Sequence, residues 1–191
     1  SGLEVATFKD SVVFRESLSS FEFRKGFERI AYAQTLRLSL DGGFDSINEA
    51  YFEGEAKFED EVLHAEAPEA LYRLGVGVLE LISVARMPRP VVTDAGATIE
   101  AAEFEMALDD STMRAEGDVR TTYGSTDDVP VREKKGRMPG MFKPNENVHV
   151  IGQELHYDSE SGHAIYIGDA RLWQGRTAVR SGVIEIDSES G

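Results

Sequence analysis

The sequence predicts an all-β protein built from short strands, and three observations support this class. Apolar and polar residues alternate with a period of two through most of the chain, as half-buried strands require. Turn-forming clusters such as Asp41-Gly42-Gly43 and Asp109-Asp110-Ser111 separate the alternating segments. A strand–turn–strand pattern also recurs along the chain. One such hairpin cannot bury its apolar face alone, so the repeat predicts a solenoid, a sandwich or a jelly roll.

The alternation locates the strands. In residues 50–59, small or apolar side chains occupy one parity and, apart from Tyr51, charged side chains occupy the other. The same alternation runs through residues 113–120 and, with a more apolar outer face, through residues 164–172. Residues 65–74 could form a helix with Pro68 in its first turn, but the alternation that resumes at Leu74 favours a bent strand. Shorter strand-like runs occur at Val12–Phe14, Leu36–Leu40, Leu63–Ala65, Gly75–Val84, Phe104–Leu108, Val148–Ile151 and Val183–Ile186.

An internal repeat underlies these strands. An apolar–x–apolar–Asp tetrad begins at Leu38, Met106, Leu155 and Ile184. We expect the Asp of each tetrad to start a turn by accepting hydrogen bonds from the backbone that follows it. After each of the first three tetrads comes a strand that contains glycine, an acid, a small apolar residue and a base. These strands contain Gly54-Glu55-Ala56-Lys57, Gly117-Asp118-Val119-Arg120 and Gly168-Asp169-Ala170-Arg171. We expect their glycines to mark a bulge, a bend or the close approach of another backbone.

Composition restricts the classes of function. The chain has a net charge of −15 at pH 7 and contains no cysteine. The charge disfavours binding to nucleic acid or to an anionic membrane surface. The absence of cysteine excludes disulfides, thiolate metal sites and thiol nucleophiles. No uncharged apolar run reaches the length of a membrane-spanning helix.

One segment differs from the rest of the chain. Residues 124–147 hold three of the six prolines and the charged run at residues 132–137, which predict a long loop or linker. The basic residues of this run could contact lipid phosphates or an acidic partner, although a solvated loop is favoured. We therefore divide the chain into residues 1–123, the insertion at 124–147, and residues 148–191. We expect the last part to continue the repeats of the first and to be truncated at its C-terminal end.

The C-terminal repeat resembles a known family. Leu155-His156-Tyr157-Asp158 is followed, after a turn to Gly162, by Ala164-Ile165-Tyr166-Ile167-Gly168-Asp169-Ala170-Arg171-Leu172-Trp173-Gln174-Gly175. This order is similar to the OstA-like repeat of the LptA–LptC family of lipopolysaccharide transport proteins. The resemblance is good over residues 148–191 and fair over residues 99–121 and 36–58.

The resemblance implies a fold and a function. It implies an open β-jellyroll of OstA-type strand–turn–strand repeats, whose apolar interior shields the acyl chains of lipopolysaccharide. Such units join end to end through unpaired strand edges, with themselves or with other OstA-like transport proteins, into a bridge across the periplasm to the outer membrane. No catalytic residue, cofactor or metal is implied, and a signal or anchor would lie outside this chain. Lipid contacts are expected on the inner face, at Leu38, Leu40, Phe52, Phe58, Phe104, Met106, Leu108, Leu155, Tyr157, Tyr166 and Leu172.

Three other interpretations remain open. The inner face could simply fill the core of a closed β-sandwich, since apolar inner faces are universal. The protein could be a structural repeat module that assembles through its strand edges and binds no lipid. A β-solenoid enzyme acting on carbohydrate is a weaker possibility, because no nucleophile elbow, phosphate-binding loop or dinucleotide fingerprint supports catalysis.

The histidines and acidic pairs are the remaining candidates for chemistry. His149, His156 and His163 suggest a metal site, and Asp109-Asp110 and Asp127-Asp128 suggest calcium or glycosidase chemistry. These residues lack the ligand spacing that such metal sites require. We therefore interpret them as solvent-facing strand positions and turns.

Overall fold

The computed structural model describes residues 4–18, 27–41, 46–60, 63–94, 96–124 and 146–187. Within these residues the all-β class is confirmed: strands are joined by turns and by one short 3-10 helix, Leu74–Val76, without any α-helix. No helix in the described ranges has the length and hydropathy needed to cross a membrane. The strands are β1 Glu4–Leu18, β2 Phe27–Asp41, β3 Ser46–Glu59, β4 His64–Arg73, β5 Val78–Ile82, β6 Val91–Asp94, β7 Ala97–Glu100, β8 Glu103–Ala107, β9 Thr112–Tyr123, β10 Val148–Asp158, β11 His163–Gln174 and β12 Thr177–Asp187.

The observed strand limits test two predictions made from the sequence. The bent strand predicted over residues 65–74 is β4, so the helical alternative is wrong. The strand predicted from Gly75 begins only at Val78, because the chain first makes a turn that ends in Gly77 with a φ of 64°. Most of the predicted linker, residues 125–145, lies outside the described residues. The strands on either side of it, β9 and β10, pair with each other directly, with Tyr123 opposite Val148.

All strand pairs are antiparallel, and the sheet follows the chain from one edge to the other. Its order is β1-β2-β3-β4-β5-β8-β9-β10-β11-β12, with β6 and β7 off this path. Both β5 and β6 pair with the edge of β4 that β3 leaves free, and both β7 and β8 pair with one edge of β9. The pairings β4-β5-β8-β9-β7-β6 therefore close a ring of six strands, with residues 83–90 and 101–102 at the interruptions.

A line of irregularities crosses the long strands near their midpoints. The register of β3 shifts at Gly54-Glu55, that of β9 at Gly117-Asp118 and that of β11 at Gly168-Asp169. All six of these residues have positive φ, as do Asp10 and Ser11 at the shift in β1. Such a two-residue bulge bends a strand sharply. The bend or bulge predicted at the three repeat glycines is thus confirmed.

The bulges divide the sheet into two half-sheets that face each other. The ring centroids of Phe52 and Phe58 lie 4.9 Å apart although both residues belong to β3, on opposite sides of its bulge. Tyr123 and Tyr166 likewise meet across the two halves. The first half-sheet comprises residues 4–9, 35–41, 46–53, 69–73, 78–82, 103–107, 112–116, 154–158, 163–167 and 183–187, and the second comprises residues 12–18, 27–33, 56–59, 64–67, 91–94, 97–100, 119–123, 148–152, 170–174 and 177–181.

Candidate functional site

The space between the half-sheets is one continuous apolar interior, which we call the trough. The predicted inner-face residues belong to the buried cluster that fills it, except Leu40, Leu108 and Tyr157. Leu108 and Tyr157 are partly buried against this cluster, and Leu40 is buried without belonging to it. Small side chains such as Ala50, Ala115 and Ala170 are buried beside them. The alternation in the sequence therefore identified the inward parity. Burial of this kind is compatible both with a lipid groove and with a closed core.

The N-terminal part of the trough contains a row of aromatic rings. Phe14 packs edge-on against Phe52, Phe52 against Phe58, and Phe58 against Tyr72, with centroid separations of 5.9, 4.9 and 6.4 Å. Edge-to-face contacts at these distances add to the free energy of burial. Phe14 and Tyr72 were absent from the predicted inner-face set because they lie outside the recognisable repeats. Both nevertheless lie in segments predicted as strands, Phe14 in Val12–Phe14 and Tyr72 in residues 65–74.

The C-terminal part contains hydrogen-bonded tyrosines. The hydroxyls of Tyr123 and Tyr166 lie 2.9 Å apart. Burial raises the pKa of Tyr166 to about 12 and that of Tyr123 well above its usual value. The hydroxyl of Tyr157 bonds to buried Asp94, and burial followed by the charge of Asp94 raises the pKa of Tyr157. These hydroxyls remain neutral at physiological pH, which a low-dielectric interior favours.

A charged network joins the two half-sheets at their free margins, which we call the lips. Arg29 of β2 donates from Nη1 to the hydroxyl of Tyr72 at 3.1 Å and from Nη2 to Oδ1 of Asp109 at 2.8 Å. The Tyr72 hydroxyl in turn donates to Oε2 of Glu16 at 2.7 Å. Burial raises the pKa of Tyr72 to about 12, with the hydrogen bond to Glu16 acting in the same direction. Arg29 and Glu16 belong to the second half-sheet and Tyr72 to the first, so the network holds the lips together.

Asp109 behaves differently from what the tetrad pattern predicts. Its carboxylate accepts the hydrogen bond from Arg29 rather than starting the turn with its own backbone. Asp158 fits the prediction, since its Oδ1 accepts from the backbone N–H groups of Glu160 at 2.9 Å and Ser161 at 3.2 Å. The hydrogen bond from Ser161 is the main reason why the pKa of Asp158 is lowered.

Little space is left inside the trough. The cleft between Phe58 and Tyr72 has a volume of about 10 Å³. A second cleft at the lips, between Leu63, Asp94 and Tyr157, has about 80 Å³. Since one water needs roughly 10–15 Å³ of such space, the first cleft is almost filled and the second admits a few waters. An acyl chain can therefore lie between the half-sheets only if the lips separate.

Larger hollows lie on the outer face of the first half-sheet. They measure about 280 and 340 Å³ and are open and lined by charged side chains. Like charges face each other there across neighbouring strands, as in Glu80 opposite Glu105 and Glu103 opposite Glu116, an arrangement that is mildly destabilising. Arg114 offsets part of it through ion pairs with Glu116 at 2.6 Å and Glu154 at 2.8 Å. These hollows are open surface grooves with both charged and apolar side chains in their lining.

Each of the three histidines contacts a different side chain. His156 pairs with Glu154 and His163 with Glu185, each at 2.7 Å, and His149 stacks on the ring of Trp173 at 5.2 Å. In the part of the chain that the structure describes, no three His, Asp or Glu side chains form a group that could hold a metal ion. Asp127-Asp128 lies outside the described residues.

The trough ends at two strands, β1 and β12, whose outer edges pair with no other described strand. Most of the exposed large apolar side chains in the described ranges belong to them: Val5, Phe8 and Val13 on β1, and Val179 and Val183 on β12. Phe8 and Val179 share the inward parity, because they lie opposite buried Leu36 and Leu172. Each is nevertheless 48% exposed. Among the described residues, the apolar lining therefore continues to both ends of the trough, where these two side chains are half exposed.

In comparisons with known proteins, no family model matches the chain, and no curated protein matches its sequence.

Proposed function

We propose that the protein carries the acyl part of an amphiphile of the lipopolysaccharide class between its half-sheets, and that copies join end to end into a bridge across the periplasm. In this proposal the fold is an open β-jellyroll of OstA-like repeats, and the predicted inner-face residues are the lipid contacts. No chemical step is required, because the ligand is shielded and passed on unchanged.

The apolar side chains exposed at both ends of the trough are the main support for the carrier proposal. A closed sandwich covers the end strands of its core, whereas Phe8 and Val179 point inward and are each 48% exposed. A groove that passes acyl chains to a neighbouring molecule needs an apolar lining that is open at the ends. Burial of an acyl chain would contribute roughly 0.8 kcal/mol for each CH₂, and this gain must exceed the cost of separating the lips.

The two edge strands are complementary to each other. On its paired side, β12 lies opposite the bulge of β11: Val183 pairs with Ile167 and Ser181 with Ala170. Gly182 of β12 is therefore opposite the two bulge residues Gly168 and Asp169. Strand β1 has a matching bulge at Asp10-Ser11. On the free side of β12, the β1 strand of a second copy would therefore fit antiparallel with Lys9 opposite Val183.

That register keeps the inner faces continuous between copies. It places Phe8 beside Ile184 and Phe14 beside Val179, and all four of these side chains share the inward parity. The trough of one copy would continue into the next, and backbone groups at both edges would find partners. Head-to-tail stacking of this kind is open-ended and gives a filament.

Site-specific photocrosslinking tests the carrier proposal. A photoreactive phenylalanine analogue replaces Phe52 or Tyr166, which point into the trough, or their outward neighbours Tyr51 and Ile165 as matched controls. In cells that make lipopolysaccharide, we expect lipid adducts at positions 52 and 166 and none at 51 and 165. Adducts at none of the four positions, together with native protein that mass spectrometry finds free of lipid, would refute the proposal.

A structural repeat module that binds no lipid is the second candidate. The small volume between the half-sheets, about 10 Å³ and 80 Å³ in the two clefts, favours it. The same strand-edge assembly would operate in this case, so the formation of filaments does not separate the two candidates. The crosslinking experiment does, because only a carrier places lipid beside Phe52.

A further inference from the structure

We infer that Arg29 anchors the anionic head of a single-chain amphiphile at the lips, and that Asp109 occupies this anchor in the ligand-free protein. The inference rests on the proposed carrier function and extends it from lipopolysaccharide to a simpler ligand, which has one alkyl chain with a carboxylate or phosphate group at its end. The alkyl chain would enter the trough beside Arg29, and the anion would replace the carboxylate of Asp109.

Arg29 is placed where such a head group would come to rest. Its side chain is only 10% exposed, and it lines the cleft together with Phe14, Phe58, Leu79 and Leu108. A buried cation at the edge of an apolar cleft complements a ligand that is apolar along its length and anionic at its end. Guanidinium groups bind carboxylates and phosphates through two parallel hydrogen bonds.

The present partners leave part of Arg29 unused. Its Nε is buried and has no hydrogen-bond partner among the described residues. Asp109 accepts from Arg29 through Oδ1. Its Oδ2 lies against Gly77, 2.6 Å from the point that an added Cβ would occupy there. An unsatisfied buried donor costs free energy. An anion that is free to approach could engage both Nε and Nη2, which Asp109 does not.

The two acidic neighbours of Arg29 differ in how readily they can be displaced. Glu16 is 19% exposed and is held by the Tyr72 hydroxyl at 2.7 Å. Asp109 is 68% exposed and sits in the turn between β8 and β9, so its carboxylate can rotate into solvent. Exchange of Asp109 for a ligand anion leaves the charge next to Arg29 unchanged. This matters in a protein whose net charge of −15 repels anions elsewhere.

Calorimetric titration of the purified chain tests the inference with three probes that share a tetradecyl chain: myristate, tetradecyl phosphate and uncharged tetradecanol. Arg29→Gln should weaken binding of both anionic probes about tenfold or more, as expected for the loss of a charged hydrogen bond, while tetradecanol binding changes less than about twofold. Asp109→Asn should strengthen binding of the anionic probes. Arg37→Gln, which removes an outer-face arginine paired with Glu53 at 3.0 Å, is the matched control and should change nothing.

The outcomes separate the two proposals. If all three probes bind the native chain but Arg29→Gln and Asp109→Asn leave the affinities for the anionic probes unchanged, the anchor is refuted while the carrier function stands. If no probe binds the native chain, the anchor is refuted, and the crosslinking at Phe52 and Tyr166 decides the carrier function for lipopolysaccharide separately. Because Asp109 is exposed, Asp109→Asn decides the question even if Arg29→Gln fails to fold. A response to phosphate but not to carboxylate would restrict the ligand class to phosphorylated lipids.

Discussion

The rings of Phe52 and Phe58 are in edge-to-face contact, with centroids 4.9 Å apart, although six positions of one strand separate them. At about 3.3 Å per residue, an extended strand would place these residues roughly 20 Å apart. The backbone at Gly54-Glu55 folds β3 back on itself, which puts Phe52 in the first half-sheet and Phe58 in the second. Every feature of the trough depends on this reversal, and it is repeated at Gly117 and Gly168.

The bulge glycines should therefore be intolerant of side chains. Gly168 has a φ of 83°, and a Cβ there would lie 2.8 Å from the Cβ of Gln153. We expect Gly168→Ala to lower the free energy of unfolding by about 1–3 kcal/mol, through left-handed backbone strain and this close contact. Urea denaturation followed by circular dichroism measures the change.

Gly182 provides a matched control on the same line of the sheet. It lies on β12 opposite the bulge of β11, and no atom lies within 4 Å of the point that a Cβ would occupy at this position. Gly182→Ala should change the free energy of unfolding by less than about 0.5 kcal/mol. Equal losses at Gly168 and Gly182 would mean that the bulge backbone is not what sets the stability.

The sequence predicted which side chains point inward but not what they meet. Alternation with a period of two identifies a face, so Leu38, Phe104 and Leu155 could be assigned from the pattern alone. The repeat of glycine and acid likewise predicted the bulges, since few other patterns place glycine inside a strand. Neither the alternation nor the glycine repeat indicates how far apart the two half-sheets lie. The volume of the trough therefore could not be predicted.

The charged network at the lips also could not be predicted from the sequence. Arg29 and Asp109 are eighty positions apart, and nothing in their local patterns links them. The tetrad pattern predicted a turn-starting role for Asp109, and the nearby arginine overrides it, because a buried guanidinium needs a counter-charge more than an exposed turn needs a capping carboxylate. The strand runs predicted from the sequence included neither β6 nor β7. Residues 83–90 form a local excursion after β5, and β6 then resumes the pairing with β4.

End-to-end assembly can be tested with engineered cysteines, because the chain contains none. In the proposed register Thr7 of one copy lies directly opposite Glu185 of the next. Opposed residues of an antiparallel pair are close enough for a disulfide. The double variant Thr7→Cys/Glu185→Cys should form a ladder of covalent oligomers under mild oxidation, visible on non-reducing gels.

A second pair checks the register. Thr7→Cys combined with Arg180→Cys places the thiols in different half-sheets, so this variant should give only background dimers. If both pairs produce the same ladder, the oligomers arise from random collision. If neither does at concentrations where the native chain oligomerises, the edges do not pair in this way.

The buried tyrosines predict loss of stability at alkaline pH. Burial raises the pKa of Tyr72 and Tyr166 from 10 to about 12 in the folded protein. The unfolded chain therefore releases these protons first, so the stabilisation is complete below pH 10 and is lost as the pH rises towards 12. Phenolate absorbance should show tyrosines that titrate late in the native protein and near pH 10 in urea. Tyr166→Phe should remove one late-titrating group and lower the free energy of unfolding by about 1 kcal/mol at neutral pH, because Tyr123 loses its partner.

Lipid binding by the trough should depend only weakly on salt. In the carrier proposal most of the binding free energy comes from burying CH₂ groups, which salt does not screen, and the single contact with Arg29 is shielded from mobile ions by its burial. We expect the affinity for lipopolysaccharide to fall less than about tenfold between about 0.05 M and 1 M sodium chloride, as measured by displacement of a fluorescent fatty acid. Binding through exposed basic residues would behave in the opposite way, since each neutralised phosphate adds to the salt dependence. Complete loss of bound lipid at high salt would therefore place the ligand on the surface of the protein and leave the trough as a packed core.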